Sequence, residues 1–332
     1  MVSRRANDST VRLSVIVPCF NEADVLRQTH QRLIETLDSD RTIEGEIVYV
    51  DDGSSDATAD ILSTFAGADD RVVVVSLTRN FGHQAAISAG LQIANGDTIV
   101  VIDADLQDPP ELILEMLAQW RNGYDVVYGV RAEREGGLAK RAAYNLFYRF
   151  MRAMVNFDIP LNSGDFALMD RRAVDALNAL PERNRYIRGL RAWIGLRQIG
   201  IPYRRPVRAA GMSKYTLIKL IRLSLDGVIS MSSKPLSIIF GLGVFTAIFS
   251  GTCFLFYFLW WLSGIEIFGH SPADVPGFTS VALLLFLVSS IQMISIGVIG
   301  EYVGRIYDET KNRPMYLISR VAGSKKRDDT AR

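Results

Sequence analysis

Short apolar runs alternate with amphipathic stretches along residues 11–131. LSVIVP (13–18), EIVYVDD (46–52), VVVVSLT (72–78), DTIVVIDA (97–104) and YDVVYGVR (124–131) are nearly unbroken apolar runs rich in β-branched residues. Runs of this kind predict strands buried on both faces. Between them, apolar positions at helical spacing predict helices over 22–37, 56–65, 83–96 and 109–123. The third of these ends at Asn95-Gly96, a helix stop. Strand and helix alternating in this way build βαβ units and an α/β, mostly parallel sheet.

The pattern changes near residue 235. Residues 235–265 carry no charge over 31 positions, and residues 275–300 carry none over 26. A bilayer is spanned by about 20 apolar residues, so two transmembrane helices are predicted, at about 236–262 and 278–300. Trp260 and Trp261 suit the headgroup belt. Just upstream, TLIKLIRLSLDGVISM (216–231) spaces its apolar residues helically, with Lys219 and Arg222 between them, as an amphipathic helix in the interface would. A packed surface helix is the alternative. The chain is thus divided into a disordered N-terminus (1–10), an α/β domain (11–213), an amphipathic interface helix (214–234), two transmembrane helices (235–304) and a basic tail (305–332).

Charge changes this picture only through its distribution. Lys+Arg totals 37 and Asp+Glu 36, so net charge names no partner. From Arg183 to Arg222, however, there are eleven Lys or Arg and no acid. That stretch is expected to face a phosphate, a membrane surface or a nucleic acid, with a solvated basic face as the alternative. The loop 263–277 has no Lys or Arg, whereas Arg222, Lys234, Arg305, Lys311, Arg313, Lys325, Lys326 and Arg327 flank the spans. The positive-inside rule then places both termini and the soluble domain in the cytoplasm, on a multi-pass protein of the cell membrane. Cys19 and Cys253 lack ligand spacing, the three histidines are scattered, and the polar N-terminus shows no signal peptide.

In open α/β sheets, ligands bind beyond the carboxyl ends of the strands. Asn21 and Glu22, Asp51 and Asp52, Arg79 and Asn80, Asp103 and Asp105, and Arg131 all fall there. No G-x-G-x-x-G and no P-loop is present, so phosphates need another holder. Asp103-Ala-Asp105 puts two carboxylates on one side of an extended chain, and Gln107 continues the parity. Those oxygens suit Mg2+ or Mn2+ completed by a diphosphate.

PCFNE (18–22), DDGSSD (51–56), RNFGHQAA (79–86), DADLQDPP (103–110), SGDFALMDR (163–171) and GMSKY (211–215) together resemble the signature blocks of glycosyltransferase family 2. More narrowly, the chain is similar to the polyprenyl-phosphate glycosyltransferases, including those with two C-terminal transmembrane helices. The resemblance implies a GT-A, Rossmann-like domain and inverting transfer of a hexose from a nucleotide-diphosphate sugar to polyprenyl phosphate. UDP-glucose is the first choice of donor; GDP-mannose, UDP-galactose and a UDP-amino sugar stay open. It implies that Pro18, Asn21, Glu22, Asp51, Asp52 and Asp103 bind the nucleotide sugar. Asp103, Asp105 and Gln107 would hold the metal. Asp165, in a GDF turn, would lie near the reacting centre with Asp105 and Arg131. Lys214, Arg208 and Ser213 would bind the acceptor phosphate. The partners are therefore a nucleotide sugar, a lipid phosphate and the membrane, with no nucleic acid, and a homo-oligomer is open.

Some residues carry plainer expectations. Asp108 and Asp56 are expected to cap the helices that follow them, and His83 to begin the 83–96 helix. Arg204 and Arg205 could meet lipid headgroups. A processive polysaccharide synthase is the competing enzyme, but RAWIG (191–195) lacks the Q-x-x-R-W spacing. A nucleotide-binding scaffold with a dead site is the competing non-enzyme, and the intact acids at 103 and 105 oppose it.

Overall fold

The computed structural model describes residues 10–131, 163–183, 185–204, 234–263 and 278–323. The first half of the chain follows the predicted alternation: β1 (Val11–Cys19), α1 (Ala23–Asp38), β2 (Ile43–Asp51), α2 (Thr58–Ala68), β3 (Val72–Leu77), α3 (His83–Ile93), β4 (Thr98–Val101), α4 (Leu112–Arg121) and β5 (Val126–Arg131). Then come β6 (Ser163–Asp170), α5 (Arg171–Ala179), α6 (Ile187–Trp193) and β7 (Gln198–Tyr203). Two long helices follow, α7 (Lys234–Ser263) and α8 (Phe278–Thr310), and a last strand, β8 (Ile318–Ala322).

The strands form one sheet in the order β7-β5-β6-β4-β1-β2-β3-β8. β1 pairs in parallel with β2 and β4, β2 with β3, and β5 with β7. Helices cover both faces of the central strands, which explains the unbroken apolar runs: Val15, Ile16 and Val17 are all fully buried. Each such side chain contributes about 1.5–3 kcal/mol by leaving water.

The structure departs from the sequence reading at three places. Residues 163–170 are not a turn but β6, antiparallel to both β4 and β5. Running against its neighbours, β6 begins at the edge where they end, and so delivers Asp165 to their carboxyl ends. Second, β4 stops at Val101, and Leu106 turns the chain with φ 58. Asp103, Asp105 and Gln107 therefore lie on a turn, and the alternation of an extended chain does not apply to them. Third, part of the segment read as a basic tail is β8, antiparallel to β3.

The chain divides into two compact units, residues 1–230 with 314–332, and residues 231–313. The second contains α7, of 30 residues, and α8, of 33. Both helices present apolar side chains outward, among them Phe240, Ile248, Leu262, Met293 and Ile294. Among the described residues alone, no helix is long and apolar enough to cross a membrane. The expected interface helix at 214–234, and with it Arg208, Ser213 and Lys214, lies outside the described residues.

Candidate active site

The loops after β1 and β2 are stitched together before any ligand is considered. Asn21, at φ 56, accepts from the Ser55 amide at 2.8 Å, and its own amide donates to Ser54 Oγ. The Glu22 amide donates to Thr58 Oγ1. The cap position of α2 is Ala57 and not Asp56, which lies one residue earlier and accepts from the Thr58 amide and from the Ala23 amide at the start of α1. Pro18 is buried within β1.

Asp51 and Asp52 are buried, and both hold the loops. Asp51 accepts from the Ser54 amide. Asp52 accepts from the amides of Phe81 and Gly82 at 2.7 and 2.9 Å, which fixes the loop after β3. Burial pushes the Asp52 carboxyl up and Asp51 adds to this; the two amides offset only part of the rise. Gly53, between these loops, is at φ 70, and a Cβ there would come within 2.5 Å of the Arg79 carbonyl carbon. Only glycine combines that conformation with that approach.

Beside these loops lies the acidic centre. His83, the first residue of α3, places Nε2 at 3.5 Å from both Asp103 Oδ1 and Asp165 Oδ2. Asp103 is pushed up to about 6, chiefly by burial, with Asp108, Asp165 and Asp105 raising it and His83 opposing. Its Oδ1 is buried and makes no hydrogen bond. Asp105 accepts from the Gln107 amide at 3.1 Å.

Asp165 has the opposite character. Burial alone would push it up, but the Arg188 charge and the His83 contact more than reverse this, holding it far below the usual carboxylate range. The Arg188 fork reaches Asp165 with Nε at 3.3 Å and Nη2 at 3.1 Å, and Gln84 Nε2 donates to it at 3.4 Å. Gln84 Oε1 also accepts from the Ile187 amide, tying α3 to the start of α6. His83 is raised: burial pulls it down, and Asp165 and Asp103 outweigh that.

Two further guanidinium groups flank β6. Arg191 is fully buried, donates only weakly to the Gly164 carbonyl at 3.5 Å, and lies 5.1 Å from the Tyr128 ring centre. Burial brings it down to about 10. Arg131 also reaches this glycine: a Cβ on Gly164 would come within 3.3 Å of its Nη2. The Nε atoms of both arginines are buried without a hydrogen-bond partner.

The structure thus gathers Asp103, Asp105, Asp165 and Arg131 near one edge of the sheet and sets Asn21, Glu22, Asp51 and Asp52 beside them. Sequence reasoning missed Gln84, Arg188 and Arg191, and it gave His83 no role in the acid cluster. The basic stretch was the available signal, but its described members are mostly committed internally. Arg185 donates to the carbonyls of Leu177, Leu180 and Glu182, Arg188 pairs with Asp165, and Arg197 lies over Tyr124. Asp108 is not the expected helix cap. It is buried and accepts from the Tyr203 hydroxyl, while α4 begins four residues later.

The family model of glycosyl transferase family 2 matches residues 14–177, which holds nearly all of this edge. A Bacillus subtilis protein named as an uncharacterized glycosyltransferase, YkcC, is 43% identical over 94% of this chain and 95% of its own. The chain belongs to glycosyltransferase family 2. This family 2 glycosyltransferase is also 38% identical, over 93% of its length and 98% of the other's, to the SfII prophage-derived bactoprenol glucosyl transferase of Shigella flexneri. Among solved structures it is similar to glucosyl-3-phosphoglycerate synthase from Mycobacterium tuberculosis in complex with Mn2+ and uridine-diphosphate. That likeness has 20% identity and a TM-score of 0.46, covering 66% of this chain and 78% of that one. Its fold is a GT-A type α/β fold with a mostly parallel sheet.

Proposed function

We propose that this family 2 glycosyltransferase moves glucose from UDP-glucose to a polyprenyl monophosphate, with inversion, at the cytoplasmic face of the cell membrane. The observation that carries the reading is the near full-length similarity to a bactoprenol glucosyl transferase, joined to the convergence of acids and arginines at one sheet edge.

A divalent cation, Mg2+ or Mn2+, fits the residues present. Asp103 offers a buried oxygen without a hydrogen bond, and Asp105 lies two residues away. Among the described residues there is no group of three or more His, Cys, Asp or Glu that could hold a metal. A pair of carboxylates completed by substrate phosphates is how Mg2+ is commonly held. Such an ion would neutralise the diphosphate as it leaves.

The acceptor needs little help to become a nucleophile, because the second pKa of a phosphate monoester is about 6. Asp165, held ionised by Arg188, is a poor proton acceptor at neutral pH, so its part is to position rather than to deprotonate. An oxygen of the lipid phosphate attacks the anomeric carbon, and the bond from that carbon to the β-phosphate oxygen breaks, releasing UDP. Arg131 eases the approach of two anions. Arg208, Ser213 and Lys214 are proposed to meet the lipid phosphate at headgroup depth.

The membrane reading rests on the uncharged runs of 31 and 26 residues and the absence of Lys or Arg from 263–277. It gains support from β8. The chain leaves the sheet unit before α7 and rejoins it after α8, so two crossings, an even number, agree with one cytoplasmic domain.

The test is a transfer assay with a panel of radiolabelled nucleotide sugars and undecaprenyl phosphate in detergent. Lipid-soluble label from UDP-glucose is expected; label from another nucleotide sugar alone would replace the donor, and none from any would end the reading.

A further inference from the structure

One buried phenol at the site has no part in the reaction described so far. Tyr203 ends β7 and pairs in register with Arg131 at the end of β5. Its ring lies over Gly129, where a Cβ would come within 2.7 Å of a ring carbon. Phe166 meets the same ring edge-on, with centroids 6.0 Å apart. Enclosed on these sides and 6% exposed, the ring has one place to sit, so its hydroxyl is fixed in space. That hydroxyl donates to Asp108, and the side chain of Arg131, its cross-strand partner, lies beside the same phenol and favours its ionised form.

These two partners belong to different parts of the site. Asp108 closes the acidic loop that opens with Asp103, and Arg131 is the guanidinium beside Gly164. An N–H left unpaired in a buried place is costly, and the Nε of Arg131 is such a group. An anionic oxygen would satisfy it, provided the guanidinium is held where that oxygen arrives.

We propose that Tyr203 is a positioning residue for the transfer reaction: it locks the Arg131 guanidinium to the loop 103–108, so that donor phosphates meet the acidic loop and the arginine in one fixed arrangement. The proposal rests on the glycosyl-transfer reading above. Phenylalanine at 203 keeps the ring and its packing and removes only the atom that joins the two partners.

The experiment compares kcat and donor KM for wild type, Tyr203→Phe, Arg131→Ala and the double variant, each as the full chain, with thermal unfolding recorded alongside. Losing one charge-assisted contact is worth roughly ten- to a hundredfold, and that fall is expected in kcat for Tyr203→Phe, with donor KM little changed. In the Arg131→Ala background the same substitution should cost nothing more, since effects routed through one group do not add. Unchanged kcat for Tyr203→Phe, or losses that add, would overturn the proposal. If Tyr203→Phe does not fold, Asp108→Ala against Asp108→Asn decides. The alanine should lose turnover and the asparagine, which still accepts from the phenol, should keep most of it; equal loss in both overturns the role. Wild type that makes no lipid-linked sugar overturns the transfer reading itself, a result distinct from wild-type turnover matched by Tyr203→Phe.

Discussion

Replacing Arg188 with alanine isolates what keeps Asp165 charged. The guanidinium makes two contacts with the carboxylate, at 3.3 and 3.1 Å, and the Asp165 side chain is only 9% exposed. Breaking a buried ion pair by removing one partner costs about 3–5 kcal/mol, because the remaining charge is left uncompensated. Arg188 is itself 29% exposed, and Gln84 and His83 remain beside Asp165. A loss of about 2–4 kcal/mol is therefore expected, the lower part of the range for a buried pair opened to some solvent. At about 2–4 °C per kcal/mol for a domain of this size, thermal unfolding of the purified full chain should begin roughly 5–15 °C earlier at pH 7. The pH dependence identifies the cause. In wild type the Asp165 pKa is depressed, so its stabilisation is present above the unfolded value of about 3.9 and is lost as pH falls below it. Without Arg188, burial raises the carboxyl and the variant is relieved by protonation. The gap between the two proteins should be widest at neutral pH and narrow toward pH 4. A gap that stays constant from pH 7 to pH 4, or a shift under 2 °C at pH 7 (on the order of 1 kcal/mol or less), would refute this account of Asp165.

Other substitutions test other parts of the site. Asp105→Asn removes a charge from the proposed cation pair and should cut transfer by about a hundredfold or more without shifting the unfolding temperature; near-normal activity in Mg2+ removes Asp105 from that role. Gly53→Ala forces a Cβ to within 2.5 Å of the Arg79 backbone at positive φ, and a loss of about 2 kcal/mol or more is expected, measured by denaturant unfolding and absent if the loop simply shifts. A cysteine at Ser271, in a chain with Cys253 replaced, should react with an impermeant thiol reagent in intact cells, whereas one at Ser324 should not; the reverse pattern inverts the proposed topology.

Much of the sheet was legible because strands covered on both faces need unbroken apolar runs, and β1 through β5 each show one. β6 was not, because Ser163-Gly164-Asp165 has the composition of a turn. Only its pairing with β4 and β5 makes it a strand. The acids at 51, 52, 103, 105 and 165 were legible from their place after strands or in family blocks, but their chemistry was not. The same residue type is raised at Asp103 and lowered at Asp165, and the difference lies in Arg188, which joins the site only through tertiary packing. The arginine-rich stretch was read as a surface for anions, and at Arg185, Arg188 and Arg191 it proved to serve the protein's own carbonyls, carboxylate and core. Asp108 shows the converse: a position before proline suggests a cap, and a tyrosine 95 residues later claims it instead.

The strand β8 changes how the helical pair should be regarded. Because Ile318–Ala322 hydrogen-bonds to β3, and Thr78 donates to the Leu317 carbonyl, the pair is an insertion within a sheet domain and not an appendage at its end. Cutting the chain ahead of residue 234 to obtain the catalytic part alone would also discard a strand. It would bare the row of amides and carbonyls on Val72–Leu77, an edge open to pairing with other molecules. Excising residues 231–313 instead would keep β8 in the chain, so deletion from within, rather than truncation, is the cut that leaves β3 its partner strand.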